Sequence, residues 1–331
     1  MIFVISTTRR DLKISRQARN DSTLKSFIMY YLGVDTGGTF TDFVLLKDGD
    51  IRIHKVLSTP HAPEEAILQG IREMAIPNRP ILIFHGSTVA TNAVLEGKGV
   101  KTAYVANTGF KDVLSIGRQA RAELYNLQPE NIDPPVPGSL CLEVDCRLSS
   151  QGQWLTELDE EKLNTLAKQL NALKPEAVAI NLLFSWLDDS AEQAIKKLLP
   201  DDLFVSISSE VLSEVGEYER GIATWLNAWV GPLIQGYISR LQSGLVNWFD
   251  EPRLSVMQSS GETMDATLAA NQAVRMLLSG PAGGLVGAQF VAAQSGLIKL
   301  MTFDMGGTSS DVALINDRVQ LTNRGRIGRY P

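Results

Sequence analysis

The sequence of 331 residues predicts an α/β fold with mixed sheets. Short apolar runs typical of buried strands alternate with longer runs of helical periodicity along most of the chain. A glycine-rich turn between two apolar strands occurs near each end of this region. Apolar residues make up 44% of the chain and charged residues 21%, which is ordinary for a globular protein with a sizeable core. The length allows roughly two domains.

The first half is predicted to alternate strands and helices closely. Residues 30–34 are typical of a buried strand, and residues 47–50 (KDGD) predict a hairpin turn between two further strands. Proline at the first position and acidic residues in the first turn predict a helix over 63–74. Further strands are predicted at 43–46, 51–56, 81–84 and 101–105, a helix ending near Leu95, and a loop over 133–138 at a subdomain edge.

The second half repeats this alternation and adds one long helix. Apolar residues recur every three or four positions from Ile222 to Leu245, and Gly231 with Pro232 is expected to interrupt and kink that helix. The other predicted elements are helices over 159–173, 188–198 and 281–293 and strands over 177–183, 203–207, 300–304 and 312–315.

Charge and cysteine content argue against several functions. The formal net charge is −6, so the chain has no basic surplus for a nucleic-acid backbone. No apolar run approaches the ~20 residues needed to span a bilayer, which argues against an integral membrane protein. Cys141 and Cys146 are too few for a disulfide scaffold and favour a reducing cytoplasm, with both thiols structural. His54, His61 and His85 form no zinc-binding pattern.

Residues 1–28 differ from the rest of the chain. Six basic residues stand against two acidic ones, and the apolar opening is too short for the core of a signal peptide. We expect residues 1–28 to be a disordered or non-native extension, with the folded chain beginning at Met29.

One internal repeat carries most of the functional information. Residues 34–49 (VDTGGTFTDFVLLKDG) match residues 303–318 (FDMGGTSSDVALINDR) at seven of sixteen positions, with a constant offset of 269. Glycines let a backbone approach an anion closely, and turn N–H groups with a threonine hydroxyl form a phosphate-binding nest. Two such turns facing each other, with a metal ion, are suited to hold a triphosphate. No GxxxxGK[ST] or GxGxxG motif competes with this interpretation.

Six motifs together resemble the hydantoinase A/5-oxoprolinase family, which belongs with sugar kinases, actin and the heat-shock chaperone ATPases. They are 34–44 (VDTGGTFTDFV), 85–95 (HGSTVATNAVL), 109–121 (GFKDVLSIGRQAR), 217–220 (EYER), 279–284 (SGPAGG) and 303–314 (FDMGGTSSDVAL). The resemblance implies a ribonuclease-H-like domain of the actin/sugar-kinase type, with a mixed five-stranded sheet and flanking helices. It also implies an N-terminal domain over 29–205 and the truncated start of a second such domain over 206–331.

The resemblance implies ATP-dependent hydrolysis of a five-membered cyclic amide, such as a hydantoin or 5-oxoproline, through phosphorylation of the amide oxygen. ATP and Mg²⁺ are the implied cofactors. Fuller members of the family are about twice as long, so we expect a fragment or subunit that works with a hydantoinase B-type partner or a downstream half, in an oligomer. Two alternatives remain open: a subunit of an ATP-dependent ketone carboxylase, and a non-catalytic nucleotide-binding fragment.

The expected site residues fall into four roles. Asp35, Asp304 and His85 are the catalytic candidates, and Asp35, Asp42 and Asp304 are the metal candidates. Phosphate binding is assigned to Thr36, Gly37, Gly38, Thr39, Gly306, Gly307 and Thr308, and substrate binding to Thr88, Asn92, Arg118 and Arg121.

Several of these residues admit a structural interpretation as well. Arg118 and Arg121 either grip a substrate carboxylate or form a solvated helix edge. Asp42 either serves a metal or stabilises its turn. The other structural expectations are a surface ion-pair set for Glu217, Glu219 and Arg220, core packing for Trp225 and Trp229, and close helix packing for Gly280, Gly283, Gly284 and Gly287.

Overall fold

Helices and strands alternate through the part of the chain that the computed structural model describes, which is residues 29–119, 125–128, 133–305, 310–320, 322 and 325–330. The strands are β1 (Tyr30–Thr36), β2 (Phe40–Lys47), β3 (Asp50–Leu57), β4 (Ile81–Ser87), β5 (Thr102–Asn107), β6 (Cys141–Val144), β7 (Arg147–Leu148), β8 (Trp154–Thr156), β9 (Ala177–Asn181), β10 (Phe204–Ile207), β11 (Pro252–Met257), β12 (Thr263–Asp265), β13 (Lys299–Met305) and β14 (Ser310–Asn316).

The helices are α1 (Pro63–Glu73), α2 (Val89–Leu95), α3 (Val113–Ile116), α4 (Glu160–Leu173), α5 (Ser190–Leu198), α6 (Ser208–Val211), α7 (Glu217–Val246), α8 (Ala266–Asn271) and α9 (Ser279–Gln294). The predicted mixed α/β fold is therefore confirmed. None of the helices in the described ranges is long and apolar enough to cross a membrane.

Packing divides the chain into two units, and the division falls inside α7, between Gln235 and Gly236. Among the described residues, the first unit comprises those within 29–92, 236–270 and 275–322, and the second comprises those within 93–235, 271–274 and 325–330. These two units are defined by contacts between residues, whereas the expected boundaries at 28/29 and 205/206 are those of family domains. The expected boundaries therefore stay predictions.

The first unit contains a six-stranded mixed sheet in the order β12-β11-β4-β1-β2-β3. β1, β2 and β3 form an antiparallel meander, whereas β4 runs parallel to β1 and β11 runs parallel to β4. The expectation of five strands is wrong by one, because the short strand β12 pairs with the outer edge of β11. β1 lies in the interior of this sheet and is buried along almost its whole length.

Helix α1 packs on the meander through a stripe of apolar and small residues. The aromatic ring of Phe43 on β2 lies directly against Gly70, so closely that a Cβ atom there would come within 2.2 Å of Phe43 Cζ. The stripe comprises Ala66, Ile67, Gly70, Ile71 and Met74, which recur at helical spacing and are buried.

The second unit contains a four-stranded parallel sheet in the order β10-β9-β5-β6. β9 and β5 are wholly buried, as the continuous apolar runs in their sequences predict. Helix α4 begins where expected, because the side chain of Asp159 accepts a hydrogen bond from the Lys162 backbone N–H at 2.9 Å.

The long helix α7 runs from Glu217 to Val246 with Pro232 inside it, so the expected interruption is wrong. Proline removes one backbone donor, and packing on both sides of it stabilises the helix through the defect. Val230 and Ile234 are fully buried, and the ring of Phe204 packs directly against Gly231.

The two tryptophans of α7 pack as expected. Trp225 is buried and stacks on Trp229 with ring centroids 5.0 Å apart. Both rings also contact Tyr330.

The second copy of the repeat also forms two paired strands. Within the described residues, β13 and β14 form a two-stranded antiparallel sheet of their own. Asp304 pairs with Asp311 in it, just as Asp35 pairs with Asp42 between β1 and β2. The two copies of the sequence repeat therefore pair their strands in the same register.

The contact between Gly70 and Phe43 predicts how substitutions change the free energy of unfolding. Gly70→Ala should lower the free energy of unfolding by about 1–3 kcal/mol, because the new methyl group collides with the Phe43 ring. Gly284→Ala, in helix α9 with open space around the new atom, should be neutral or stabilising by up to about 1 kcal/mol. Urea unfolding of both variants measures the difference, and equal stabilities would contradict the packing described.

Candidate functional site

The turn between β1 and β2 presents an open, exposed backbone. The Gly37 N–H donates to the Phe40 carbonyl oxygen at 3.0 Å, which closes the turn. Gly38 and Thr39 are exposed, and a Cβ atom added at Gly38 would meet no other atom within 4 Å. The turn therefore leaves room for a ligand to approach its main chain.

Ser58, which follows β3, holds this turn in place. Its hydroxyl donates to the Gly37 carbonyl oxygen at 2.8 Å and lies 3.0 Å from the Thr41 hydroxyl. Its N–H donates to the Thr39 carbonyl oxygen at 2.9 Å. Sequence reasoning missed Ser58, because nothing in its local pattern says that it crosses to the neighbouring turn.

Asp35 ends the buried part of β1 and is only 5% exposed. It pairs in register with Gly86 on β4, and a Cβ atom at Gly86 would lie 2.8 Å from the Asp35 carboxylate oxygen Oδ1. Burial, reinforced by the negative charge of Asp42 and more weakly by that of Asp304, raises the pKa of Asp35 to about 7. Half of the Asp35 side chains would therefore be protonated near neutral pH.

Asp42 lies directly opposite Asp35, so their side chains share one face of the sheet. The Lys55 ammonium on β3 lies 3.0 Å from Asp42 Oδ1. This contact supports the interpretation that Asp42 stabilises its turn, and it leaves the metal-binding interpretation open.

His85 belongs to the opposite face of the same sheet. It pairs with Val34 while Asp35 pairs with Gly86, and successive strand residues point to opposite faces. Its Nε2 lies 2.6 Å from the hydroxyl of Tyr237 on α7. Burial lowers the pKa of His85 to about 4, so the ring is neutral at pH 7. His85 Nδ1 and Thr36 Oγ1 are buried without a well-formed hydrogen bond.

Thr88 and Asn92, the expected substrate residues, lie beside the first turn. The Thr88 hydroxyl donates to the Thr36 carbonyl oxygen at 3.1 Å, and Asn92 Nδ2 donates to that hydroxyl at 3.4 Å. The start of α9 joins the same group, since the Ser279 hydroxyl donates to the Ser87 carbonyl oxygen at 3.1 Å. Two motifs separated by nearly 200 residues thus meet here.

Two glycines of α9 lie in ordinary packing distance of neighbouring residues. A Cβ atom at Gly283 would lie 3.4 Å from the Met257 side chain on β11, and one at Gly280 would lie 3.7 Å from Thr88. Gly284 has open space around its missing Cβ, so the expected close packing against another helix does not hold there.

Arg118 lies in the second unit, where its Nε donates to Glu219 Oε1 at 2.6 Å. This ion pair fits the solvated interpretation of Arg118. The expected surface location of Arg220 is wrong: it is 1% exposed and donates to Asn181 Oδ1 at 3.2 Å. A guanidinium can be buried when backbone and amide oxygens accept its protons, and a local sequence pattern does not show those acceptors.

Four expected site residues, Arg121, Gly306, Gly307 and Thr308, lie outside the described residues. Asp304 is described, is exposed, and pairs with Asp311. Helix α9 contacts β13 and β14 as well as β4 and β11, so the second hairpin belongs to the same unit as the first.

Neither cysteine has the character of a nucleophile. Burial raises the pKa of Cys141 and of Cys146 to about 11, so both thiols are protonated at neutral pH. Within the described ranges, no three histidine, cysteine or acidic side chains converge as a ready metal site.

The raised pKa of Asp35 predicts a pH-dependent stability. In the folded state Asp35 holds its proton up to about pH 7, so the parent loses stability as pH rises from about 4 to 7. Asp35→Asn removes this penalty, and its advantage over the parent should grow across that window to at most about 4 kcal/mol. Urea unfolding at several pH values measures it, with the exposed Asp50→Asn as the control for loss of a negative charge. An advantage that does not change with pH would contradict the buried carboxylate.

Comparison with known proteins adds evidence on descent. The family profile for the hydantoinase/oxoprolinase N-terminal region matches residues 31–202, and the hydantoinase/oxoprolinase profile matches residues 220–331. Caprolactamase subunit alpha from Pseudomonas jessenii is 32% identical over 301 residues, which cover 86% of this chain and 43% of that subunit. The crystal structure of the ATP-dependent caprolactamase superposes with a TM-score of 0.75 over the same shares of the two chains.

Two further relatives are named for different activities. The acetophenone carboxylase gamma subunit of Aromatoleum aromaticum is 30% identical over 310 residues, covering 86% of this chain and 42% of that subunit. The 5-oxoprolinase 1 of Arabidopsis thaliana is 33% identical over 327 residues, covering 85% and 25%. The chain spans less than half the length of these relatives. Since the two family profiles together match most of its residues, the chain belongs to the hydantoinase/oxoprolinase family.

Proposed function

We propose that this chain is the nucleotide-binding part of an enzyme that uses ATP to open a five-membered cyclic amide, such as a hydantoin or 5-oxoproline. The observation that carries the proposal is the duplicated hairpin, in which Asp35 with Asp42 and Asp304 with Asp311 occupy equivalent positions of one register. The relatives named above as caprolactamase and 5-oxoprolinase support a cyclic amide as the substrate, and 5-oxoprolinase supports the five-membered ring.

The first turn provides the proposed phosphate contact. Gly38 and Thr39 offer backbone N–H groups and a hydroxyl, while the Gly37 N–H closes the turn on Phe40 and the Ser58 hydroxyl holds the Gly37 carbonyl oxygen. The open space at Gly38 leaves room for a phosphate oxygen at the main chain. Gly306, Gly307 and Thr308 are proposed to supply the equivalent contact from the second hairpin.

The chemistry of the first hairpin fits a Mg²⁺ ion. Asp35 is a buried carboxylate whose charged form is disfavoured by its own burial and by Asp42, and a divalent cation would reverse that preference. Asp35, Asp42 and Asp304 are the proposed ligands, and because no three acidic side chains converge within the described residues, they would hold the ion through bridging water. Bound there, the ion would neutralise charge on the phosphates of ATP during transfer.

The remaining residues are assigned by position. An amide carbonyl is a poor electrophile, and phosphorylation of its oxygen by ATP, which releases ADP, prepares the ring carbon for attack by water. The ring C–N bond then breaks and the nitrogen leaves as the amine, and a second water hydrolyses the resulting acyl phosphate to the carboxylate and phosphate. Thr88 and Asn92, beside the turn, are proposed to position the ring. His85 is a neutral, buried residue on the other face of β4, so we assign it a positioning role through Tyr237 instead of proton donation.

The proposal extends to fold class and assembly. The strand order β3-β2-β1-β4-β11, antiparallel and then parallel, supports a ribonuclease-H-like domain in the first unit. Cys141 and Cys146 are free thiols, which supports a reducing location such as the cytoplasm. The shortfall in length against the relatives supports a further polypeptide, of hydantoinase B type or a downstream half, in an oligomeric enzyme.

A second candidate function is a subunit of an ATP-dependent ketone carboxylase. The observation in its favour is the 30% identity to the acetophenone carboxylase gamma subunit over 86% of this chain. Both functions would use the same hairpins, and they differ in the acceptor of the phosphoryl group.

Gly38 offers a direct test of nucleotide binding. Gly38→Ala adds a methyl group where no protein atom lies within 4 Å, so folding should be unaffected while the approach of a phosphate is blocked. We expect at least a tenfold loss of affinity for MgATP, equal to about 1.4 kcal/mol. Isothermal titration calorimetry on the full chain measures it.

Gly138→Ala is the matched control. Gly138 also has open space around its missing Cβ but lies in the second unit. Its affinity for MgATP and its melting temperature should equal those of the parent. Equal affinities of Gly38→Ala and the parent would contradict phosphate binding at this turn.

The reaction itself is tested on the enzyme assembled from this chain and the polypeptide that completes it. Asp35→Ala and Asp304→Ala should each lower ATP-dependent ring opening of 5-oxoproline or hydantoin by at least a hundredfold, as expected for lost charge stabilisation. Chromatography of the ring-opened product measures it. Near-normal turnover would reject these roles, and ketone-dependent incorporation of bicarbonate without ring opening would establish the second candidate.

A further inference from the structure

One face of the β13–β14 hairpin is apolar and exposed. Met301, Phe303 and Met305 of β13 and Val312 and Leu314 of β14 share this face, because Met301 pairs with Leu314 and Phe303 with Val312. Their side chains are 56–78% exposed. We call these five residues the open face.

The other face of the hairpin is partly covered. Helix α9 contacts both strands, and Ile315 on that face is buried while Leu300, Thr302 and Ala313 are half-buried. A contiguous group of large, exposed apolar side chains is uncommon on a protein that functions alone and marks a surface that another segment covers.

The internal repeat shows what kind of segment covers such a face. With the offset of 269, four open-face residues correspond to Leu32, Val34, Phe43 and Leu45 of the first hairpin, which has the same register. Those four side chains are at most 3% exposed. Helix α1 contacts both strands of that hairpin, with Gly70 against the Phe43 ring.

The strand edges show the same contrast. β1 pairs with β4 and β2 pairs with β3, so both outer edges of the first hairpin are used. Within the described residues, β13 and β14 pair only with each other. The second hairpin thus lacks both the helix and the neighbouring strands that its copy has.

We propose that the open face is the binding surface for an amphipathic α-helix of the polypeptide that completes this chain, packed across β13 and β14 as α1 packs across β1 and β2. That helix carries a stripe of apolar residues like that of α1, with a small residue opposite Val312. This inference does not rest on the proposed enzymatic function.

The size of the open face fits a short helix. Two strands of seven residues cover roughly 24 × 10 Å. That footprint accommodates the ~16 Å length of an 11-residue helix such as α1. The completing polypeptide gains further contacts at the open strand edges.

A peptide of residues 62–76, which contains α1, serves as the probe. Added to the full chain carrying ¹³C-labelled methionine methyl groups, it should shift the Met301 and Met305 methyl signals, with a dissociation constant on the order of millimolar because so short a helix is largely unfolded in water. Leu314→Lys should weaken this binding at least tenfold. Ile53→Lys, on the edge strand β3 and 77% exposed, is the matched control and should bind as the parent does.

Each other outcome overturns the proposal. Absence of methyl shifts at millimolar peptide, equal binding by Leu314→Lys, or equal binding of a peptide with Ile67→Lys and Ile71→Lys would show that the open face does not recognise an apolar helix. Methyl shifts that depend on protein concentration without peptide would identify a second copy as the occupant. Leu314→Ser replaces the lysine variant if thermal unfolding shows that Leu314→Lys is misfolded. MgATP titration of the same samples remains a separate measurement, so failure here is distinguishable from failure of the proposed function.

Discussion

The burial of the Asp35 carboxylate against Gly86 is the constraint on which the candidate site depends. Asp35 stands at the end of a strand buried on both faces, where only the absence of a side chain on β4 leaves room for it. Its pKa of about 7 records the cost of placing a carboxylate there beside Asp42. Buried carboxylates with raised pKa values cluster at functional sites, where a bound ligand stabilises the charged form. A cation bound together with a nucleotide at the adjacent turn would have this effect on Asp35.

The two faces of the central sheet divide the polar residues into separate groups. One face carries Asp35 and Asp42 toward the turn, and the other carries His85 to Tyr237 of the long helix. The strand alternation that separates them is a property of the backbone, so no rearrangement of rotamers brings the His85 ring to Asp35. The buried His85–Tyr237 pair instead connects β4 to α7. The Thr88 hydroxyl, just before α2, binds the Thr36 carbonyl oxygen and so supports the turn.

The duplicated hairpin occurs twice in one register but in two surroundings. In the first copy, helix α1 buries the apolar face, and on the other face Asp35 is buried against Gly86 of the neighbouring strand β4. In the second copy the equivalent apolar face and Asp304 are exposed. The same local sequence therefore gives the same local structure. The burial of each hairpin and the environment of its aspartate depend instead on the elements that pack against it.

The sequence by itself determined the mixed α/β fold, the two hairpins with their equivalent aspartates, most strand positions and the family. These follow from apolar periodicity, turn glycines and spacing, which act over a few residues. Only the tertiary structure decided that His85 faces away from Asp35, that Ser58 and Gly86 shape the site, that Arg220 is buried and that α7 continues through Pro232. Each of these depends on contacts between residues far apart in the chain, and such contacts fix desolvation and close packing, which local patterns do not encode.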